Sequence, residues 1–220
     1  MKEQNSFLTG IKDGIPICLG YLSVSFAFGI FSVENGLSIL EALLISMTCV
    51  TSAGQLAGVP IICAGGSFIE LAATQLIINL RYSLMSVSLS QKLGKSVKMA
   101  DRFLISFINT DEVFAVSSGK GENVGKRYMY GLILTPYLGW SLGTLFGAVA
   151  GNILPAIVIS ALGIAIYGMF IAVVIPGAKK CIKTALITLL AILISCVIYY
   201  VPVFDAISGG FSVIICAVVA

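Results

Sequence analysis

The sequence predicts an all-α protein that crosses a membrane several times. Among its 220 residues, 58% are hydrophobic and 10% are charged, and the mean hydropathy is +1.05. A soluble domain usually carries about 25% charged residues, so this chain has too few charges to cover a globule with solvated surface. Several apolar stretches also reach the roughly 20 residues that a helix needs to cross the hydrocarbon layer. They follow one another closely, which predicts a single transmembrane domain over residues 1–220.

The apolar stretches number about six to eight, and two of them have polar centres. In chain order they lie at 14–33, 39–64, 67–90, 103–118, 128–150, 155–176, 182–203 and 206–220. The second contains the run Ser-Ala-Gly-Gln at 52–55 and then Pro60, and the fourth contains Asp111 and Glu112. Glycine and proline weaken the helical hydrogen-bond ladder, and lipid offers no substitute partners. We therefore expect these two stretches to be broken or re-entrant, with an unwound segment near residue 54.

The beginning of the first stretch has a helix-start pattern. Asp13 is a residue type that caps helices, and Pro16 falls where the first helical turn tolerates proline. This pattern predicts a first helix that begins near residue 14.

Basic residues cluster in three short loops between the apolar stretches. The loops contain Lys92, Lys95, Lys98 and Arg102; Lys120, Lys126 and Arg127; and Lys179, Lys180 and Lys183. Loops rich in Lys and Arg face the cytoplasm in membrane proteins. If the N-terminus is cytoplasmic and both interrupted stretches return to the side they entered from, all three loops are cytoplasmic. If every stretch crosses once, the first loop lies outside, and the sequence leaves both topologies open.

Arg81 stands near the middle of the third stretch, 67–90, about 4 Å from its midpoint at 1.5 Å per residue. A charged side chain at the centre of a membrane helix costs roughly 2.5–3.5 kcal/mol, so Arg81 needs a partner. Asp111 and Glu112 lie at the middle of the fourth stretch, which predicts an ion pair between Arg81 and one of them. Four polar side chains share one face of the same predicted helix: Gln75, Asn79, Tyr82 and Ser86.

Composition argues against several function classes. The chain has no histidine, which removes the usual base of Ser–His sites and the ligands of HExxH zinc sites. Its six cysteines lie in or beside apolar stretches without a CxxC motif, so we expect no disulfide. The basic residues lie in short loops instead of on one folded face, so we expect no nucleic-acid binding. We expect no catalytic residue, no cofactor and no metal, and an intramembrane enzyme built on acidic residues is the less favoured alternative.

Four motifs, taken in order, resemble the AzlC-type family. The first is an opening segment at 10–16, 20–21 and 26–30, the second is the SAGQ run at 52–55, the third is N-x-R at 79–81, and the fourth is D-E-x-F at 111–114. The resemblance covers about residues 8–118. Val113 departs slightly from the pattern, because a small residue is more usual there.

The resemblance implies the large subunit of a two-component exporter of branched-chain amino acids in the cell membrane. It further implies a small hydrophobic AzlD-type partner subunit, embedded in the same lipid bilayer. The expected substrate-binding residues are Ser52, Gly54, Gln55, Asn79, Arg81, Asp111 and Glu112. A channel-like or structural subunit without its own substrate site is the alternative.

A mechanism follows from the charges of an amino acid. Free N–H groups at a helix break near residue 54, or Arg81, would bind the substrate carboxylate. Asp111 or Glu112 would meet the ammonium group. Burial favours protonation of a carboxylate, so we also expect Asp111 or Glu112 to couple export to protons.

Overall fold

The computed structural model describes residues 3–155, 157–158, 168, 171, 174–176, 178–179, 181–204 and 207–219. The helices are α1 (Phe7–Glu34), α2 (Ile39–Cys49), α3 (Ser52–Cys63), α4 (Phe68–Lys92), α5 (Met99–Phe107), α6 (Asp111–Ser118), α7 (Lys126–Gly151), α8 (Ile182–Tyr200) and α9 (Gly209–Val219). Two short strands, β1 (Glu3–Gln4) and β2 (Asn123–Val124), and one 3₁₀ turn, Pro202–Phe204, complete the described elements. By length and composition, α1, α7 and α8 are able to cross a membrane. The predicted all-α membrane fold is confirmed.

The long helices α1 and α7 pack side by side and run in the same direction. Glycines of α7 lie against the backbone of α1 at successive levels: Gly131 contacts Phe7, Gly139 contacts Cys18, and Gly147 contacts Phe26. A Cβ atom on Gly147 would overlap the carbonyl group of Phe26. Small residues let two membrane helices approach closely and gain van der Waals contact. Helices α2, α3, α5 and α6 pack against this pair, whereas α4 packs against α3 and α6, and α9 packs against α4.

Three segments that are distant in sequence lie together at one end of the bundle. Strand β1 pairs with β2 in parallel, Glu3 opposite Asn123 and Gln4 opposite Val124. The residue after α4, Leu93, forms a bridge to Val124. We call this end of the molecule the first face, and the other end the opposite face. Two of the three predicted basic loops, at the ends of α4 and α6, therefore lie on the same face as the N-terminal segment.

The segment α2–α3 enters and leaves the bundle through the opposite face. Helix α1 starts at the first face, so its end and the start of α2 lie at the opposite face. Helix α4, 25 residues or about 37 Å long, ends at the first face at Leu93, so its start after α3 lies at the opposite face too. Between these points the chain reaches the middle of the bundle, where the carbonyl of Gly54 accepts a 2.7 Å hydrogen bond from Gln75 Nε2. Helices α2 and α3 are therefore a re-entrant pair.

The segment α5–α6 is a second re-entrant pair, inserted from the first face. It begins after Leu93 and ends before β2, both of which lie at the first face. Its tip, 108–110, reaches α4, where Asn109 Nδ2 donates to Ser86 Oγ at 3.1 Å. The second and fourth apolar stretches are thus interrupted, as expected, and of the two topologies that the sequence left open the structure has the one in which both return to their starting sides.

Three details of the predicted helices are wrong. Helix α1 begins at Phe7, and Asp13 lies inside it, because Ser6 is the N-cap and its hydroxyl accepts a hydrogen bond from the Thr9 N–H. The helix break lies at Val50 and Thr51, just before the run 52–55 where it was predicted. Residues 52–55 form the first turn of α3. Gly54 is helical and does not unwind the chain. The absence of a side chain at this position instead lets α3 pack closely against α4.

The fourth stretch also differs from its prediction. It begins at Met99, and Asp111 and Glu112 lie in the first turn of α6 with Thr110 as N-cap, not in the middle of a helix. Acidic side chains favour this position because they face the positive end of the helix dipole. The sixth predicted stretch, 155–176, falls mostly outside the described residues.

Candidate functional site

The tips of the two re-entrant pairs meet at a cavity of about 480 Å³ in the middle of the bundle. We call it the central cavity. Helices α1, α4 and α7 complete its walls. Its lining residues are Pro16, Ile17, Gly20, Tyr21, Val24, Val50, Thr51, Ser52, Ala53, Arg81, Tyr82, Thr110, Asp111, Glu112 and Trp140.

An ion pair joins α4 to the tip of the second re-entrant pair. Arg81 Nη1 lies 2.5 Å from Asp111 Oδ2, and the two side chains are 50% and 44% exposed. The guanidinium also donates to the Tyr82 hydroxyl at 3.1 Å, which in turn donates to Thr51 Oγ1 at 3.4 Å. The predicted contact between Arg81 and an acidic residue at 111–112 is confirmed. Through Tyr82, this chain of contacts connects the tips of both re-entrant pairs.

Glu112 has a different partner from Asp111. The hydroxyl of Tyr21 on α1 donates a hydrogen bond to the Glu112 carboxylate. The Tyr21 ring packs edge-on against Trp140 of α7, with centroids 5.0 Å apart. With both carboxylates ionised, the cavity holds one positive and two negative side chains, so it offers a cation an uncompensated negative charge at Glu112.

Gln55 fixes the first tip from behind the cavity wall. Its Oε1 accepts hydrogen bonds from Trp140 Nε1 at 3.0 Å and from the Thr51 backbone N–H at 3.2 Å. The residue is 1% exposed. These bonds tie the start of α3 to α7, so Gln55 holds the position of the tip and of Trp140.

The N-terminus of α3 gives the cavity a partly positive wall. The first N–H groups of a helix have no partner within the helix, and the helix dipole is positive there. Thr51 at the N-cap makes no capping hydrogen bond with its side chain, and Ser52 and Ala53 line the cavity. Such a helix end favours an anionic group.

The predicted site residues divide into two groups. Ser52, Arg81, Asp111 and Glu112 line the central cavity. Three others lie outside its wall, in the packing around α3: Gly54, Gln55 and Asn79. Gly54 lies against the Gln75 side chain, and Asn79 Nδ2 donates to Gln75 Oε1 at 3.2 Å, so these positions hold α3 and α4 together.

Several side chains of the cavity wall are not among the predicted substrate-binding residues, and Tyr21, Thr51 and Trp140 are the examples with hydrogen bonds or ring contacts to the site. Tyr21 and Thr51 sit in or next to the resemblance motifs, so their position in the sequence was an available signal. Trp140 is the single tryptophan of the chain and lies in a glycine-rich helix. Its proximity to the motifs arises from the packing of α7 against α1, which local sequence patterns do not indicate.

Comparison with known proteins places the chain among membrane proteins. A family model described as AzlC protein matches residues 16–154. The inner membrane protein YgaZ of Escherichia coli (strain K12) is 29% identical over 198 residues, or 84% of this chain and 80% of the relative. An uncharacterised membrane protein of Archaeoglobus fulgidus is 34% identical over 181 residues, or 81% and 79% of the two chains. No solved structure matches the chain.

Proposed function

The chain belongs to the AzlC family, and on that premise we propose that it exports branched-chain amino acids as the large subunit of a two-component transporter. The substrate binds in the central cavity. Its carboxylate faces the N-terminus of α3 and Arg81, and its ammonium group faces Glu112. Leucine, isoleucine and valine are the substrates of this proposal, together with analogues of similar shape.

The observation that supports the proposal is that one cavity is lined by groups for both ends of an amino acid. Arg81, which is paired with Asp111, and the α3 terminus at Ser52 offer positive charge, while Glu112 is held only by the Tyr21 hydroxyl among its described contacts. Apolar side chains such as Ile17, Val24 and Val50 line the same cavity. An α-amino acid with an aliphatic side chain presents the same three chemical features, and polar groups in such pockets fix a ligand's orientation.

Proton coupling is part of the proposal and is assigned to Glu112, with Asp111 as the second acidic group. Protonation of Glu112 would remove the negative charge that holds the ammonium group and so favour its release. Ionisable residues inside membrane proteins commonly form proton relays. The first face is taken as cytoplasmic, because its loops carry Lys92, Lys95 and Lys98.

A small hydrophobic AzlD-type subunit is the proposed partner. Helix α8 supports this part of the proposal, because the most apolar 18-residue window of this helix buries none of its residues. Lipid covers part of such a surface, and a second apolar subunit is able to cover the rest.

The single tryptophan makes substrate binding directly measurable. Purified chain is titrated with leucine while Trp140 emission is recorded, and lysine and glutamate serve as charged controls with the same backbone groups. A saturable change with leucine, isoleucine and valine is expected, and Trp140→Phe abolishes the signal. Leucine export from cells, with and without the small subunit, is measured in parallel. No emission change with any aliphatic amino acid, together with no export, would instead favour a channel-like or structural subunit.

A further inference from the structure

A second cavity lies between α4 and α5, towards the first face. Its volume is about 180 Å³, and we call it the vestibule. Its wall is mostly apolar, with Leu89 and Phe103 among the lining residues. One cation, Arg102, and the buried amide of Asn109 also line it. Nothing in the proposed function assigns a role to this cavity.

The polar groups of the vestibule are not fully used by the protein. Arg102 makes one hydrogen bond among its described contacts, from Nη1 to the Ser90 carbonyl at 3.3 Å. A guanidinium has five N–H donors, so most of them are available to a ligand. Asn109 is 4% exposed, its Nδ2 donates to Ser86, and its Oδ1 has no hydrogen-bond partner. A buried polar atom without a partner is costly unless a ligand or water satisfies it.

The vestibule adjoins the central cavity along α4. Tyr82 lines the central cavity, whereas Ser86 and Ser90 line the vestibule, each one helical turn or about 6 Å further along. The tip of the second re-entrant pair borders both spaces, since Asn109 lines the vestibule and Thr110 lines the central cavity. The 3.1 Å hydrogen bond from Asn109 to Ser86 joins the tip to α4 at this border.

We propose that the vestibule is a second binding site for the same aliphatic amino acid, on the path between the central cavity and the first face. Arg102 binds the carboxylate, the free end of the Asn109 amide binds the ammonium group, and Leu89 and Phe103 contact the side chain. The Ser86–Asn109 hydrogen bond closes the connection to the central cavity and opens when the substrate passes. This inference rests on the proposed function, because it takes the same substrate.

Protection from labelling tests occupancy of the vestibule. Ser106→Cys places a thiol in the vestibule wall, and Gly121→Cys places one in an open loop on the same face. Both variants of the full chain in membranes are treated with a hydrophilic thiol reagent with and without leucine, and the labelled peptide is quantified by mass spectrometry. We expect leucine to slow labelling at position 106 at least about threefold and to leave position 121 unchanged.

A kinetic test separates the two sites. Arg102→Gln is expected to lower leucine export at least about tenfold, with the leucine dependence of Trp140 emission unchanged. Arg127→Gln, a charge loss on the same face outside the vestibule, should leave export near the parent level. Ser86→Ala removes the gate's acceptor without a change in size and should alter the export rate but not the emission titration.

The outcomes distinguish this inference from the proposed function. Equal labelling at position 106 with and without leucine, while Trp140 emission still responds to leucine, overturns the vestibule site alone. Protection that depends on added phospholipid and not on leucine also overturns it. If the parent chain neither responds in emission nor exports leucine, the proposed function fails first, and the inference falls with it.

Discussion

The guanidinium of Arg81 lies 2.5 Å from the carboxylate of Asp111, which ties the midpoint of α4 to the tip of a re-entrant helix pair. Both side chains are about half exposed, at 50% and 44%. An ion pair with this exposure contributes only about 0–1 kcal/mol to stability. The ion pair therefore contributes little to the stability of the fold. Its effect is local, because it holds the tip of the second re-entrant pair against α4 at the wall of the central cavity.

Charge reversal tests this contact. Arg81→Asp or Asp111→Arg places like charges opposite each other and is expected to lower leucine export at least about tenfold. The exchanged double variant restores an opposite-charge pair and should recover part of the lost export. Thermal unfolding in detergent should change little in each variant, since the pair is half exposed.

Lys120 supplies a control for the charge reversals. Its ammonium pairs with Asp13 at 2.7 Å, outside the central cavity. Lys120→Ala should leave the leucine response of Trp140 intact. If the exchanged double variant exports leucine no faster than either single variant, Arg81 and Asp111 do not act as a pair.

Because α1 packs closely against α7, the effect of a glycine-to-alanine substitution on the stability of the protein is expected to depend strongly on its position in α1. A Cβ atom on Gly29 would overlap the carbonyl of Thr144, whereas a Cβ on Gly20 of the same helix meets nothing within 4 Å. Gly29→Ala is therefore expected to lower the free energy of unfolding by about 1–3 kcal/mol. Gly20→Ala should keep it equal or raise it slightly, because alanine favours helix. Equal unfolding curves in detergent for the two variants would refute the packing.

The sequence predicted those parts of the fold that follow from one strong local cost. Arg81 in a long apolar stretch needs a partner of opposite charge, and Asp111 and Glu112 lie at the middle of a neighbouring apolar stretch. The two polar-centred stretches could not cross the lipid as plain helices, which predicted their interruption. In each case the free-energy cost of an unpaired polar group in lipid leaves very few arrangements of the chain.

The parts that the sequence did not predict depend on packing between distant segments. The break lies at Val50, where no glycine or proline marks it in the sequence, and the glycines that suggested unwinding near residue 54 instead allow α3 to approach α4. Gln55 belongs to the SAGQ motif but lies behind the cavity wall, because its amide oxygen accepts hydrogen bonds from Trp140 and Thr51. Such commitments appear only when α7 is placed beside α1.

The amide of Gln55 is predicted to couple to the indole of Trp140. Gln55→Met keeps the size but leaves the Trp140 and Thr51 N–H groups without an acceptor, and buried donors left unpaired cost about 1–3 kcal/mol each. Trp140→Phe removes one of the two donors and also part of a buried ring, so its cost combines the lost hydrogen bond with lost packing. The double variant should lose less than the sum of the single losses, because both remove the same hydrogen bond. Additive losses of unfolding free energy would show that the hydrogen bond contributes nothing.

Val50 holds the backbone conformation that separates α2 from α3. Its φ angle is +47°, and it is the only non-glycine residue with positive φ in the described part of the chain. For a β-branched residue this left-handed conformation is costly, by about 1–2 kcal/mol. The side chain is also buried, at 5% exposure, so hydrophobic burial at the cavity wall offsets the strain. Replacement of Val50 by glycine therefore removes a favourable and an unfavourable contribution together.

Comparison of Val50 with Val59 separates the two contributions. Val59 is fully buried inside α3, next to Pro60, and its φ angle is not positive; inside a helix Gly is less stable than Ala by about 0.5–1 kcal/mol. At Val50 the order should reverse: Val50→Gly loses the side chain but relieves the left-handed strain, whereas Val50→Ala loses most of the side chain and keeps the strain. Unfolding in detergent should thus find Val50→Gly at least as stable as Val50→Ala, and Val59→Gly less stable than Val59→Ala. The same order at both positions would mean that the chain at residue 50 is not held in the left-handed conformation, and the break between α2 and α3 would need another cause.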